Sequence, residues 1–233
     1  MKKYKTLLFD IDDTLFDFSI DQEIAFKKAM NNIGYECTDE MYNRYNDINL
    51  SMWKLLDEGK ISLQELFIKR FEVFFKEYNI KENPKKFNKE LDYAFQETGT
   101  PIEGVEELLE SLKDNYELAI TSNGPKAQQY HRLRNANFDK YFSKIFISEE
   151  LGYNKPDQKY FDIVFDNIEN KDKSSIMIIG DSLTSDIIGG NNAGIDTCWY
   201  NAKKKENTTT ARPTYEIKSY TELPLEENFS FIK

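Results

Sequence analysis

The sequence predicts an α/β fold, a Rossmann-like doubly wound parallel sheet with a helical domain inserted after the first strand. Three observations indicate this fold. Short continuous apolar runs recur along the chain, as is typical of strands that are buried on both faces of a parallel sheet. Helical apolar patterns separate the last four runs, which is the alternation found in βαβ units. Between the first and second runs, a long segment carries only helical patterns.

The five apolar runs are predicted as strands because polar or turn-forming residues bound each of them. Parallel neighbours need long crossover connections, and the segments between the last four runs are long enough to hold a helix each. The predicted strands are Thr6–Asp10, Leu118–Thr121, Ile145–Ile147, Ile176–Ile179 and Thr197–Tyr200.

Four helices are predicted between or before the later strands, because apolar residues recur there at helical spacing. Two of them begin with proline, which suits the first helical position because its N–H is unbonded there in any case. Gly194 follows the last helix as a C-cap. The predicted helices are Val105–Leu112, Pro125–Leu133, Pro156–Val164 and Ser185–Ala193.

The segment from Phe16 to about Thr98 is predicted to be an all-helical insertion. Two capping-box patterns, Ser19-x-x-Gln22 and Ser62-x-x-Glu65, precede helical apolar spacing. Glu97–Pro101 is the expected return linker. The predicted domains are therefore a core made of residues 1–15 and 99–233 and a smaller helical domain of residues 16–98.

Composition narrows the class of protein. The net charge of −10 repels nucleic-acid polymers and anionic lipid surfaces, although a local cation can still attract a small anion. Cys37 and Cys198 lack zinc-ligand spacing, so they are expected to be buried free thiols in a reducing compartment. No 18-residue apolar run occurs. We expect a cytoplasmic protein, a monomer or a homodimer, that binds neither membranes nor nucleic acid.

Carboxylates follow two of the predicted strands. Asp10 and Asp12 end the first strand, and their spacing puts both side chains on one side of an extended chain. Asp181 follows Ile176–Ile179 and is expected in the same crevice, where three oxygen donors would suit a hard cation. The alternative for each is an ordinary turn-forming Asp. Asp186 either lies just behind this site or stabilises a helix N-terminus by about 0.3–1 kcal/mol.

Hydroxyl, amide and ammonium groups follow two other strands. Ser122 and Asn123 precede a glycine and a predicted helix N-terminus, an arrangement that offers several donors to a phosphate. The alternative is an N-cap turn, and either Thr121 or Ser122 can supply the hydroxyl. Lys155 precedes Pro156 and is expected at the mouth of the crevice, where it would balance the carboxylates and hold a phosphate.

Together and in this order, these motifs resemble the haloacid dehalogenase superfamily of phosphohydrolases. The resemblance covers essentially the whole chain, and the helical insertion resembles the family's cap domain. The first motif is matched by Asp10-Ile-Asp12-x-Thr14-Leu15, the second by Ser122, the third by Lys155, and the fourth by Gly180-Asp181 with Asp186.

The resemblance implies a Mg²⁺-dependent phosphatase. It implies Asp10 as the nucleophile that forms an aspartyl-phosphate, and Asp12 as general acid for the leaving alcohol and then base for water. The implied Mg²⁺ ligands are the Asp10 carboxylate, the main-chain carbonyl of Asp12 and Asp181. The family's dehalogenases need neither an acid at the position of Asp12 nor a metal, so Asp12 favours phosphate esters over carbon–halogen bonds.

The same resemblance implies how the substrate is held. Lys155 and Ser122 would bind the phosphoryl oxygens, and Asn123 would add a backbone N–H. Three longer runs are similar to bacterial pyrimidine 5′-nucleotidases, which implies a nucleoside 5′-monophosphate as substrate. They are Ser122-Asn-Gly…Gln128-Gln129, Ile147-Ser-Glu-Glu-Leu-Gly152…Lys155-Pro156 and Gly189-Gly-Asn-Asn-Ala-Gly194…Cys198-Trp199-Tyr200-Asn201.

Aromatic residues of the insertion are candidates for stacking on a base. Such stacking contributes about 1–3 kcal/mol, and the candidates are Phe16, Phe18 and Trp53. Each has the alternative of a core position. His131 is expected to be a surface or packing residue. Two other enzymatic functions also fit, those of a sugar-phosphate phosphatase and of a phosphoglucomutase-like phosphotransferase. A third alternative is a non-catalytic phosphate-binding protein, but the residue at every catalytic motif position is present, which argues against it.

Overall fold

The computed structural model of the protein describes residues 3–225. Within this range, six strands form one parallel sheet in the order β3-β2-β1-β4-β5-β6. The direction of winding reverses beside β1, so the topological switch point lies between β1 and β4. The strands are β1 Thr6–Phe9, β2 Glu117–Ser122, β3 Lys144–Ile147, β4 Ile176–Gly180, β5 Asp196–Tyr200 and β6 Tyr215–Ile217.

The five predicted strands are confirmed, although several of their ends shift by a residue. The sixth strand, Tyr215–Ile217, was not predicted. It is three residues long and pairs only with β5 at the edge of the sheet. A short edge strand that is exposed on one side has no continuous apolar run to indicate it.

Nine α-helices occur in the described range, and three of the four predicted helix starts are wrong, by one to three residues. Pro125 is the N-cap of α6, and α8 begins after the Asp157 cap. A π-helical turn at Leu183–Ile187 leads into α9. The helices are α1 Phe18–Asn32, α2 Asp39–Asp57, α3 Leu63–Glu77, α4 Pro84–Gln96, α5 Val105–Leu112, α6 Lys126–Asn135, α7 Ser148–Leu151, α8 Gln158–Asn167 and α9 Ile188–Ala193.

The sheet is buried on both faces. Leu7 and Phe9 of β1 belong to one apolar cluster, with Leu108 of α5. Leu8 belongs to the other cluster, with Phe161 of α8. Successive strand residues point to opposite faces, so helices cover both sides of the sheet. The predicted doubly wound α/β fold is confirmed.

The segment Ser19–Thr98 is a second compact unit, distinct from the unit formed by the chain before and after it. Its core is aromatic, and the ring of Phe26 stacks on that of Tyr45 with centroids 3.9 Å apart. The Ser62–Glu65 capping box is confirmed, since each residue's backbone N–H donates to the other's side chain. The capping box at Ser19 is wrong, because α1 begins at Phe18 and Ser19 lies inside its first turn.

The cysteines differ in burial. Cys198 is a buried free thiol, as predicted, whereas Cys37 is free but only partly buried. Burial raises the pKa of the Cys198 thiol to about 12 and that of Cys37 to about 11. Over the part of the chain that the structure describes, no helix combines the length and apolarity needed to cross a membrane.

Candidate active site

The two strands beside the switch point both end in carboxylates. Phe9 of β1 pairs with Ile179 of β4, and the N–H of Asp10 donates to the Ile179 carbonyl at 3.0 Å. Asp10 and Asp181 each follow their strand directly. Both therefore lie at the carboxyl edge of the sheet, next to the switch point, where open α/β sheets bind ligands.

Lys155 lies at this edge, between α7 and α8. Its Nζ donates to Asp10 Oδ1 at 2.7 Å, to Asp186 Oδ1 at 2.6 Å and to the main-chain carbonyl of Thr121 at 2.6 Å. An ammonium has three N–H bonds, and these acceptors engage all of them. Lys155 is only 3% exposed, so its expected place at the mouth of the crevice is wrong.

Electrostatics explain how the Lys155 charge can be buried. Burial lowers the pKa of the ammonium, but the carboxylates of Asp10 and Asp186 outweigh this and hold it above its usual range. A buried ion is tolerated when it is paired and fully hydrogen-bonded. Lys155 therefore stays charged and holds two carboxylates side by side.

Three buried or partly buried carboxylates could hold a metal ion. Oxygen atoms of Asp10, Asp181 and Asp186 all lie within 4.8 Å of one another. Burial raises the pKa of Asp10 well above its usual range, although Lys155 opposes this, and burial raises the pKa of Asp181 to about 6. Crowded, desolvated carboxylates are stabilised by a cation, and hard oxygen donors are those that Mg²⁺ prefers. The donor set fits a divalent cation.

Asp186 is part of this cluster and is fully buried. Its Oδ2 accepts the backbone N–H of Ser182 at 3.0 Å, while Oδ1 binds Lys155. Gly180 makes room for it, because a Cβ at that position would lie 2.3 Å from Asp186 Oδ2. Asp186 also lies in the first turn of the π-helix at Leu183–Ile187, so these contacts give it a place in the site and are compatible with its predicted role at a helix N-terminus.

The loop that carries Asp181 is fixed from several sides. Its backbone N–H donates to Thr14 Oγ1 at 3.1 Å, and the indole Nε1 of Trp199 donates to its carbonyl at 2.9 Å. Lys205 Nζ lies 3.0 Å from Asp181 Oδ2 on the solvent side. A cavity of about 200 Å³ opens there, lined in part by Asp13 and Lys203, which form an ion pair.

The segment after β2 contributes a hydroxyl and an amide. Ser122 Oγ accepts the backbone N–H of Gly124 at 3.0 Å and Gln129 Nε2 at 3.2 Å. The hydroxyl of Thr121 is buried without a partner in the described range. The Asn123 side chain donates to the Lys155 carbonyl at 2.9 Å and accepts the Lys155 N–H at 2.8 Å. This second role, holding the Lys155 backbone, was missed in the sequence.

Asp12 turns its carboxylate towards α6. Gln129 Nε2 donates to Oδ2 at 2.7 Å and Arg132 Nη1 donates to Oδ1 at 2.5 Å. Neither α6 residue was predicted to face the site. The available signal was the i,i+3 spacing of Gln129 and Arg132, which puts both on one face of the helix directly after Ser122.

The aromatic candidates separate in the structure. Phe16 is fully buried and stacks on Phe138 at 5.5 Å, so its ring cannot stack on a base. Phe18 is half-buried at the start of α1. Trp53, on α2 of the helical unit, is 39% exposed and available to a ligand. His131 is exposed on α6, as expected for a surface residue.

Comparison with known proteins agrees with this geometry. Residues 7–200 match the family described as haloacid dehalogenase-like hydrolase. The chain therefore belongs to the haloacid dehalogenase-like hydrolases and is a hydrolase, as the motifs predicted.

Several relatives match over nearly their whole length. The chain is 38% identical to the pyrimidine 5′-nucleotidase PynA of Streptococcus pneumoniae over 94% of this chain and 93% of PynA. It is 34% identical to the pyrimidine 5′-nucleotidase YjjG of Escherichia coli over 95% of this chain and 96% of YjjG. It is also similar to YfnB of Bacillus subtilis, named as a HAD-hydrolase, with 37% identity over 96% and 95% of the two chains.

Solved structures share the fold. A crystal structure of YfnB bound to magnesium superposes with a TM-score of 0.86 and covers 94% of this chain and 96% of YfnB. A dehalogenase with an intermediate complex superposes with a TM-score of 0.68 at 18% identity, covering 96% of each chain. That second likeness is one of fold alone.

Proposed function

We propose that this hydrolase is a Mg²⁺-dependent phosphatase that acts on nucleoside 5′-monophosphates, with pyrimidine nucleotides preferred. The observation that carries the proposal is the buried cluster in which Lys155 binds Asp10 and Asp186 beside Asp181. The names of PynA and YjjG support the choice of substrate.

In the proposed reaction, Asp10 attacks phosphorus. Lys155 binds Oδ1 of Asp10, which orients the carboxylate and leaves Oδ2 to form the new O–P bond. As the bond from phosphorus to the ester oxygen breaks, Asp12 gives its proton to the departing alcohol. Asp12 then takes a proton from water as the water oxygen bonds to phosphorus, which releases inorganic phosphate and regenerates the Asp10 carboxylate.

Asp10 and Asp181 are the side chains proposed to hold Mg²⁺, with Asp186 beside them and the Asp12 carbonyl as a further ligand. When bound, the ion supplies positive charge that offsets repulsion between a carboxylate and a phosphate. The protein groups proposed to hold phosphoryl oxygens are the Ser122 hydroxyl, the backbone N–H of Asn123 and Lys155, whose ammonium would exchange one of its three present acceptors for a phosphoryl oxygen. Ser122 is preferred to Thr121 because its Oγ is hydrogen-bonded to Gln129, which also binds Asp12.

Selection of the leaving group is proposed to rest with the helical segment, residues 16–98, acting as a cap. Trp53 is the stronger candidate for contact with a base because its ring is 39% exposed, and Phe18 is the second candidate. Aromatic stacking tolerates any base, so a preference for pyrimidines would need further polar contacts.

A panel of phosphate monoesters assayed with Mg²⁺ tests the proposal. It should contain UMP, CMP and dTMP, the purine nucleotides AMP and GMP, and small sugar and triose phosphates, with phosphate release as readout. The expected result is a kcat/KM highest for pyrimidine nucleotides. The Asp10→Asn variant, purified in the same way, is the control for contaminating phosphatases.

The panel also tests a second candidate. The chain is 28% identical over 96% of its length to a glyceraldehyde 3-phosphate phosphatase of Pyrococcus furiosus, which favours a sugar- or triose-phosphate substrate. A higher kcat/KM for those esters would replace the nucleotidase proposal and leave the phosphatase proposal standing. Hydrolysis of no ester would overturn both.

A further inference from the structure

Both carboxylate oxygens of Asp12 are bound by side chains of α6. Arg132 Nη1 donates to Oδ1 at 2.5 Å, and Gln129 Nε2 donates to Oδ2 at 2.7 Å. The two donors are also joined to each other, because Arg132 Nη1 lies 3.1 Å from Gln129 Oε1. The three side chains therefore form a closed ring of hydrogen bonds that limits rotation of the Asp12 carboxylate.

The guanidinium of Arg132, which binds Asp12, is buried. Arg132 is fully buried, whereas the Asp12 side chain is 30% exposed. The guanidinium lies 5.1 Å from the centre of the Phe16 ring, and Phe16 in turn stacks on Phe138. A planar cation held by an aromatic face and a carboxylate has a fixed orientation. Phe16 thus supports Arg132.

Gln129 is placed by the absence of a side chain at Gly124. A Cβ at Gly124 would lie 1.8 Å from Gln129 Nε2, so only glycine leaves the amide in its position. The same Nε2 lies 3.2 Å from Ser122 Oγ. Gln129 therefore connects the proposed phosphate-binding hydroxyl with the carboxylate of Asp12.

We propose that Arg132 and Gln129 are positioning residues for proton transfer by Asp12. The inference rests on the proposed phosphatase function. When Asp12 protonates the leaving alcohol, the two α6 side chains keep its carboxyl group aimed at the ester oxygen. After the proton has left, the two donors stabilise the carboxylate that next accepts a proton from water.

The leaving group provides the test. A nucleoside leaves as a poorly stabilised alkoxide unless it is protonated, whereas p-nitrophenol leaves p-nitrophenyl phosphate as a stable anion. A general acid contributes about 10²–10⁴-fold, and misplacing it loses part of this. In Gln129→Met and Arg132→Met, kcat/KM for UMP should fall by about 10- to 100-fold. For p-nitrophenyl phosphate, kcat/KM should fall by less than about threefold, because that step needs no acid.

Further variants separate positioning from general damage. Gly124→Ala should reproduce the Gln129→Met pattern, since its Cβ displaces the amide. Arg132→Lys keeps the charge and should recover part of the loss on UMP. Arg134 is an exposed arginine on the same helix, and Arg134→Gln should leave both substrates unchanged. If Arg132→Met fails to fold, the Gln129→Met variant tests the positioning role instead, because it keeps the side-chain volume and buries no new charge.

The outcomes are distinguishable. Equal losses on UMP and p-nitrophenyl phosphate, or no loss on either, would overturn the positioning roles while wild-type hydrolysis still supports the phosphatase. If the wild-type protein hydrolysed neither ester with Mg²⁺, the proposed function itself would fail. Loss on UMP alone, with unchanged circular dichroism and Tm, is the result that the ring of hydrogen bonds predicts.

Discussion

Lys155→Met removes the buried ammonium that lies between Asp10 and Asp186. The side chains of Lys155, Asp10 and Asp186 are 1%, 12% and 0% exposed, respectively. In the variant, water therefore cannot solvate the two carboxylates in place of the lost ammonium. Removing one partner of a buried ion pair lowers the free energy of unfolding by about 3–5 kcal/mol. With an m-value of about 2 kcal/mol per molar urea, the unfolding midpoint should fall by about 1.5–2.5 M.

The loss should depend on pH. Burial raises the pKa of Asp10, and Lys155 opposes that rise, so the variant carboxyl should have a still higher pKa in the folded state. The folded variant then binds a proton that the unfolded chain does not, and stability falls as pH rises through the folded pKa. Relative to the wild type, the loss should be larger at pH 8 than at pH 5.5.

Fluorescence of Trp199 measures this unfolding. The chain has two tryptophans, so a Trp53→Phe background leaves Trp199, which is buried in the sheet, as the only one. Urea titrations in EDTA prevent a divalent cation from replacing the missing charge. Lys159 is an exposed lysine four positions after Lys155. Lys159→Met is the control and should change the free energy of unfolding by less than about 0.5 kcal/mol. A loss below about 1 kcal/mol at pH 8, or equal losses at the two pH values, would refute the reasoning.

Four other predictions address the site. Asp10→Asn should lower kcat by more than about 10³-fold with unchanged circular dichroism, and near-normal turnover would contradict its role as nucleophile. Mg²⁺ at about 100 times its Kd should stabilise the protein by about 2.7 kcal/mol, measured as a rise in Tm, and an equal rise in Asp181→Asn would exclude that ligand. Gly180→Ala should cost about 1–3 kcal/mol in urea unfolding because its Cβ meets Asp186, and wild-type stability would show that Asp186 can move. Trp53→Ala should raise KM about fivefold or more for UMP relative to p-nitrophenyl phosphate, and equal effects would argue against base stacking.

The strands and the groups that follow them were predictable because the signals are local. The end of a continuous apolar run indicates where a buried strand ends. In a parallel sheet, the carboxyl ends of the strands lie at the same edge of the sheet. Asp10 and Asp181 could be brought together on that basis. The edge strand Tyr215–Ile217 could not be predicted, since three residues paired on one side carry too little apolar pattern.

The partners of Asp12 were not predictable in the same way. Arg132 is charged and lies on a helix, so its sequence environment favours a solvent-facing position. Its burial depends on the Phe16 ring and on the Asp12 carboxylate, which is 120 positions away in the chain. Phe16 was a candidate for base stacking because the sequence alone does not reveal that the Arg132 guanidinium already lies against its ring.

The sequence by itself determined the first five strands, four of the helices outside the insertion, the helical insertion, and which carboxylate, hydroxyl and ammonium groups follow the strands. These properties depend on backbone geometry and on the periodicity of neighbouring side chains. Only the tertiary structure decided that Lys155 is buried and that Gln129 and Arg132 hold Asp12. Lys155 and Asp10 are 145 positions apart, and their contact exists because packing of the sheet and its helices brings them to 2.7 Å and excludes water around them.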